Sequence, residues 1–168
     1  MDDIVIVDNF LTKEELKQVQ NKECYKDPYW QTHNSNSKIG DINDFNNTFL
    51  SKLLNDNEYY TSYLFNKIKK FFNQDYKLMD VYLNGHEALR HGSFHHDECD
   101  RTVILYITPW EPAWGGFTQF MKSEKEHIII PPIEGRLLNF RSDIIHKAYA
   151  FCNQNCPMRI TAAFKLLL

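Results

Sequence analysis

The sequence predicts a mainly β fold backed by helices, a β-sandwich or barrel, and three observations carry that reading. From Asp75 onward, short runs rich in β-branched and aromatic residues are separated by turn signals. Before that point, two apolar stripes recur at helical spacing. Third, a strand through Gly92-Ser93-Phe94-His95-His96-Asp97 places His95 and Asp97 on one face and His96 on the other.

In chain order, Ile4-Val5-Ile6-Val7 reads as a short buried strand. Thr12 and Glu15 form a capping box that starts a helix, with Leu11 and Leu16 placed as its hydrophobic staple, and the helix is expected to fade near Asn21. The segment 27–41, with Trp30, His33 and a run of Asn, Ser and Gly, has no periodicity and is expected to be a mobile loop suited to binding. Phe45, Phe49, Leu50, Leu53 and Leu54 make one helical stripe; Tyr60, Tyr63, Leu64, Ile68, Phe71 and Phe72 make a second. Both should pack one face on a sheet as core, not line a cofactor site. Strands are expected at 76–83, closed by the Asn84-Gly85 turn pair, then at 91–97, 102–108, 117–121, 126–130, 135–140, 146–151 and 158–167.

At 168 residues the chain is long enough for one domain with a real core, 1–75 as helical support and 76–168 as the β core. A 43% hydrophobic content favours a globular fold over disorder. The net charge of -3 supplies no basic field, so neither nucleic acid nor an anionic membrane is expected as a partner. The start lacks a positively charged leader segment, and no apolar run nears the roughly 18 residues of a membrane span. A soluble, cytoplasmic protein is the expectation. Cys24, Cys99, Cys152 and Cys156 lack a disulfide-framework spacing and read as reduced thiols. Cys152 and Cys156 could meet across a turn and hold zinc, but no second ligand pair accompanies them.

His95 and Asp97 are half of a metal site. His146, after an apolar strand at 136–140 and the polar Arg141-Ser142-Asp143 turn, can bring the second imidazole. Two imidazoles and one carboxylate on one side of an ion leave the other side open, which suits non-haem Fe(II) oxygenases. His96 with Glu98 is the alternative register, on the opposite face. His33, His86, His91 and His127 fit no pattern and are expected to be solvated. On the last strand Arg159, Thr161 and Ala163 share a face. An inward guanidinium needs an anion; that is either a ligand carboxylate, with Thr161 and Tyr106 as further donors, or Asp80, Glu87 or Glu134 on a neighbouring strand. Tyr82 and Tyr106 also read as ordinary core tyrosines.

The order His-x-Asp, distal His, Arg-x-Thr resembles the Fe(II)/2-oxoglutarate-dependent dioxygenases, and specifically their prolyl 4-hydroxylase-like branch. Tyr82-Leu83-Asn84-Gly85, Arg101-Thr102-Val103-Ile104-Leu105-Tyr106, Trp114-Gly115-Gly116 and Arg159-Ile160-Thr161-Ala162-Ala163 add to the likeness, which runs from about Tyr76 to the C-terminus. The resemblance implies a double-stranded β-helix, a cupin-like jelly roll, with N-terminal α-helices packed on one sheet. It implies Fe(II) held by His95, Asp97 and His146, and 2-oxoglutarate bound to the metal and to Arg159, Tyr106 and Thr161, with Tyr82 lining the same pocket. O2 would be the second cosubstrate, ascorbate a candidate accessory reductant, and the reaction hydroxylation of a C–H bond with release of succinate and CO2. Prolyl residues in a peptide or protein are the substrate the branch implies. The other readings are a free amino acid or small metabolite as substrate, or a jelly roll that binds metal without turnover. In relatives an acidic residue often follows Trp-Gly-Gly; here it is Phe117.

Overall fold

The computed structural model of the protein describes residues 3–20, 30–34 and 48–168. Among the described residues, ten strands form two sheets. The larger sheet has seven strands: β1 (Ile4–Val7), β2 (Gln31–Asn34), β3 (Thr48–Leu53), β4 (Lys77–His86), β5 (Arg101–Tyr106), β8 (Leu137–Arg141) and β10 (Arg159–Leu167). Their spatial order is β1-β8-β5-β10-β4-β3-β2. The smaller sheet has the order β7-β6-β9, from β6 (Thr118–Met121), β7 (His127–Ile130) and β9 (His146–Ala148). Every pairing is antiparallel.

Strand alternation sorts the large sheet into two faces. Val81, Leu83, Val103, Leu105, Ile160, Ala162, Phe164 and Leu166 join one buried cluster with Val19, Tyr60, Leu64 and Ile68 of the helices. The opposite face carries Tyr106, Leu138 and Phe140, which pack with Phe120 and Ile130 of the small sheet. The cavity lies between those two sheets. The first helix, α1 (Lys13–Gln20), opens on the expected capping box: Thr12 N–H donates to Glu15 Oε2 at 2.7 Å, and Glu15 N–H to Thr12 Oγ1 at 3.2 Å. The second begins with π-wound turns at Tyr59–Leu64 and continues as α2 (Phe65–Phe72). It stops where Asn73 takes a left-handed conformation, φ 49°.

Several elements differ from the sequence expectation. Phe49, Leu50, Leu53 and Leu54 do not form a helix, because β3 occupies that stretch and pairs with β4; Phe45 lies outside the described residues. Pairing to an open sheet edge overrides an i, i+4 coincidence, and Leu53 is left 64% exposed. Residues 31–34, read as loop, are β2; the rest of 27–41 apart from Trp30 lies outside the described residues. Asn84-Gly85 is no turn. Both residues sit inside β4, opposite Thr161 and Ile160 of β10. The neighbours are close: a Cβ on Gly85 would lie 2.8 Å from Met158 Sδ and 3.2 Å from the Trp30 ring, so a side chain there would displace the end of Met158. Residues 91–97 make only a single bridge, His95 to His146, instead of a strand. Cys99, Cys152 and Cys156 are free thiols, and Cys24 lies outside the described residues. No described helix is long and apolar enough to cross a membrane.

Candidate active site

Backbone bonds draw the two histidines together. His95 N–H donates to the His146 carbonyl at 3.0 Å, and His146 N–H returns a bond to the His95 carbonyl at 2.8 Å. The rings are consequently 4.3 Å apart between centroids. Asp97 is placed by its own N–H, which donates to the Ser142 carbonyl at 2.8 Å in the turn before His146. Its Oδ1 is 3.6 Å from His95 Nε2 and its Oδ2 is 3.6 Å from His146 Nε2. All three ligand atoms lie within 4.8 Å of one another. The register with His95 and Asp97 on the inner face is the one observed, and His96 and Glu98 are exposed.

The protonation states suit a divalent ion. Each imidazole turns Nδ1 to a carbonyl two residues earlier, His95 to Ser93 and His146 to Ile144, both at 2.9 Å. With the proton on Nδ1, the Nε2 lone pair faces the centre. Burial lowers the pKa of His95 and brings that of His146 down to about 4. Burial works against the Asp97 carboxylate, but the attraction of Lys165 and His146 outweighs it and holds the group at about 2. Two neutral imidazoles and one ionised carboxylate are the forms that bind metal. A mixed nitrogen and oxygen set with an open side fits Fe(II).

Arg159 occupies the far end of the same cavity, which has a volume of about 500 Å³. Its side chain is 2% exposed. Its Nε donates to the Gly116 carbonyl at 2.7 Å and one terminal nitrogen to Thr118 Oγ1 at 3.0 Å. The guanidinium stands 5.5 Å from the centre of the Tyr106 ring, and the Tyr106 hydroxyl shares a 2.6 Å hydrogen bond with Thr118. None of the three candidate acidic partners reaches it. Glu87 pairs with Arg90 at 3.2 Å, Asp80 accepts from Asn55 at 2.8 Å, and Glu134 accepts from Gln20 at 2.6 Å. Among the described residues, no carboxylate meets Arg159. A buried guanidinium left without an anion is costly, so a ligand carboxylate fits this end. A second observation agrees: Asn84 Oδ1, on the cavity wall opposite Thr161, is buried without a partner. Turned about, that amide would present its NH2 to a carboxylate.

The Trp-Gly-Gly segment explains how the Arg159 end is built. Gly116 has φ 76°, and a Cβ on it would come within 2.4 Å of the Phe151 ring. Only glycine lets its carbonyl approach Arg159 over that ring.

Tyr82, Thr161 and Ala163 also line the cavity. Tyr106 does not line the cavity: it is buried behind it, its hydroxyl bonded to Thr118. His86 corrects the expectation of a solvated side chain: it is 2% exposed, opposite Arg159 on the paired strand, stacked on Phe49, and burial takes its pKa to about 3. His91 is half-buried and accepts the Ala150 N–H at 3.0 Å; His127 is exposed as expected. The side chain of His33 lies outside the described residues. Four site residues were missed in the sequence: Thr102, Thr118, Asn84 and Lys165. Thr102 Oγ1 donates to Asp97 Oδ2 at 2.6 Å, and the Lys165 ammonium contacts the same oxygen. Their signal was available in part, because Lys165 continues the face of Arg159, Thr161 and Ala163, and Thr102 shares that of Tyr106.

No family model and no curated protein sequence matches the chain. Solved structures do. A prolyl hydroxylase from Trichoplax adhaerens, in complex with a hypoxia-inducible-factor peptide, is 19% identical, with a TM-score of 0.77 over 99% of this chain and 84% of that one. A 2OG-Fe(II) oxygenase family oxidoreductase from Burkholderia pseudomallei is 10% identical, with a TM-score of 0.72 over 98% and 85%. The viral collagen prolyl hydroxylase of Paramecium bursaria Chlorella virus-1 is 17% identical, with a TM-score of 0.68 over 98% and 95%. The chain therefore has the jelly-roll fold of the 2-oxoglutarate Fe(II) oxygenases. Within that fold, prolyl hydroxylases are among the structures it resembles.

Proposed function

We propose that the protein is an Fe(II)- and 2-oxoglutarate-dependent oxygenase that hydroxylates a C–H bond. One observation carries this reading: two histidines and an aspartate converge within 4.8 Å in a cavity whose other end holds a buried arginine with no carboxylate partner among the described residues. A site for metal alone would not need that second end.

In this reading His95, Asp97 and His146 hold the iron through His95 Nε2, Asp97 Oδ1 and His146 Nε2. Bound iron supplies the chemistry the side chains lack, coupling O2 to decarboxylation of 2-oxoglutarate, with succinate, CO2 and a hydroxylated product as the outcome. Arg159 binds the far carboxylate of 2-oxoglutarate as a fixed, permanently charged fork. Thr161 and Tyr106 are proposed as further hydroxyl donors there, with Asn84 beside them. Thr118 keeps both Arg159 and the Tyr106 ring in place. Tyr82, Ile104 and Ala163 line the same cavity. His95 and His146 keep their protons on Nδ1, bonded to backbone carbonyls, so neither is offered as a proton donor to substrate.

The substrate proposed from the prolyl hydroxylase likeness is a prolyl residue of a peptide or protein. A free amino acid or small metabolite is the second reading, favoured by a further cation in the cavity, Lys165. The test is turnover with Fe(II), 2-oxoglutarate, O2 and ascorbate against proline-containing peptides and free amino acids, following succinate and a product gain of about 16 Da, one oxygen atom. Succinate with that gain is the expected result; neither appearing under any condition removes the oxygenase reading.

A further inference from the structure

A cation stands at each end of the cavity. Arg159 and Lys165 share the inward face of β10, six residues apart, which is about 20 Å of extended backbone. Asp97 belongs to the Lys165 half. Its hydrogen-bond donor Thr102 is the cross-strand partner of Lys165, whereas Tyr106, beside Arg159, is the partner of Thr161. A keto acid reaching from the metal to Arg159 would fill one half. The other half is walled by Lys165, Tyr82, Met79, Asp80, Glu98 and Cys99.

Lys165 is a nearly buried cation in that wall. Its side chain is 12% exposed, its ammonium lies 3.4 Å from Thr102 Oγ1 and 5.7 Å from the Tyr82 ring centre, and it contacts Asp97 Oδ2. Oδ2 is the oxygen that Thr102 already binds, so Oδ1 is left for a metal. Donors, not net charge, decide what this half accepts. The Lys165 ammonium has three N–H groups, of which Asp97 Oδ2 and Thr102 Oγ1 take two, leaving one for a further acceptor. The Asp80 and Glu98 carboxylates line the same half, but the ion pair of Lys165 is with Asp97; Asp80 accepts from Asn55, and Glu98 is exposed to screening solvent. Met79, 48% exposed at the same mouth, offers apolar surface for the rest of the molecule.

We propose that Lys165 is a specificity-determining residue that selects substrates carrying a carboxylate near the oxidised carbon, a chain-terminal residue or a free acid over an internal residue of a peptide. This rests on the oxygenase reading above.

The experiment is anaerobic, so that binding is read without turnover. Protein loaded with Fe(II) and 2-oxoglutarate is titrated with acetyl-glycyl-proline and N-acetyl-leucine, and with the C-terminal amide of each, following the shift of the visible charge-transfer band. The acids should bind about tenfold tighter than their amides, as one added charge-assisted contact gives. In Lys165→Met protein that still forms the band the preference should be lost, and Lys165→Arg should keep it. Equal binding of acid and amide by the unaltered protein, or no binding of any probe, overturns the proposal, and this comparison needs no variant to fold. A preference that survives in a folded Lys165→Met does the same. A Lys165→Met protein that is folded but gives no band would make Lys165 a holder of Asp97 only. Absence of the band in the unaltered protein overturns the oxygenase reading itself.

Discussion

Thr102 Oγ1 donates a 2.6 Å hydrogen bond to Oδ2 of Asp97, the oxygen turned away from His95. Thr102 comes from β5 and Asp97 from the irregular segment before it, so the bond ties a candidate metal ligand on a loop to the rigid sheet. Outer partners of this kind orient metal ligands. Thr102→Val removes the donor at nearly constant volume. The expected effect is a loss of Fe(II) affinity of about 10–100-fold with 2-oxoglutarate affinity little changed, measured by anaerobic metal titration. Unaltered metal affinity would leave Thr102 without the orienting role.

Arg159→Ala should act on the other end. Removing the guanidinium deprives the far carboxylate of its charged partner, a loss of roughly 3–5 kcal/mol or about 100-fold or more in affinity. Titration of the Fe(II)-loaded protein with 2-oxoglutarate reads this directly. Equal affinity in the variant would return Arg159 to a purely structural role with Gly116 and Thr118.

The shared face of Arg159 and Thr161 was legible in the sequence because it follows the period-two alternation of β10. His95 and Asp97 do converge as that alternation suggests, but residues 91–97 make only one bridge, and the Asp97 N–H bond to Ser142 sets the carboxylate. Lys165 obeyed the same alternation and went unnoticed, since a lysine near a strand end is ordinarily read as surface. β3 was illegible for a different reason. Phe49, Leu50, Leu53 and Leu54 satisfy a helical stripe, and only the free edge of β4 decides for a strand. Asn84-Gly85 was misread likewise, because the pressure for glycine there comes from Met158 and Trp30, remote in the chain. Thr118 had no signal at all: its role exists only where β6 crosses over Arg159 and Tyr106.

Gly116→Ala should destabilise the protein by about 1–3 kcal/mol, the usual range for overpacking, because a Cβ would press into Phe151 and the backbone is left-handed there. It should also weaken 2-oxoglutarate binding, by moving the carbonyl that holds Arg159. Urea unfolding and cosubstrate titration check the two effects separately. A variant of unchanged stability would contradict the packing seen around Phe151.

Acid should destabilise the metal-free protein through two buried histidines. His86 is lowered to about 3 and His146 to about 4, in both cases by burial first. Their folded pKa values lie below the unfolded value near 6.5, so the unfolded chain takes up protons first as pH falls. Stability is whole above pH 6.5 and declines towards pH 4 and 3, by about 4 kcal/mol for the pair between pH 7 and pH 5. The depressed carboxylate of Asp97 titrates below that window, where its own contribution is lost. Urea midpoints at pH 7 and pH 5 measure the change; a flat response would mean that these imidazoles are not held neutral in the fold.

The central claim is that one cavity holds a metal on His95, Asp97 and His146 and a keto acid reaching to Arg159. Anaerobic addition of Fe(II) and then 2-oxoglutarate, followed in the visible, tests it most directly. The account predicts a charge-transfer band that requires both additions and is absent in folded His95→Ala and His146→Ala. No band in the unaltered protein, or an undiminished band in both variants, would contradict it.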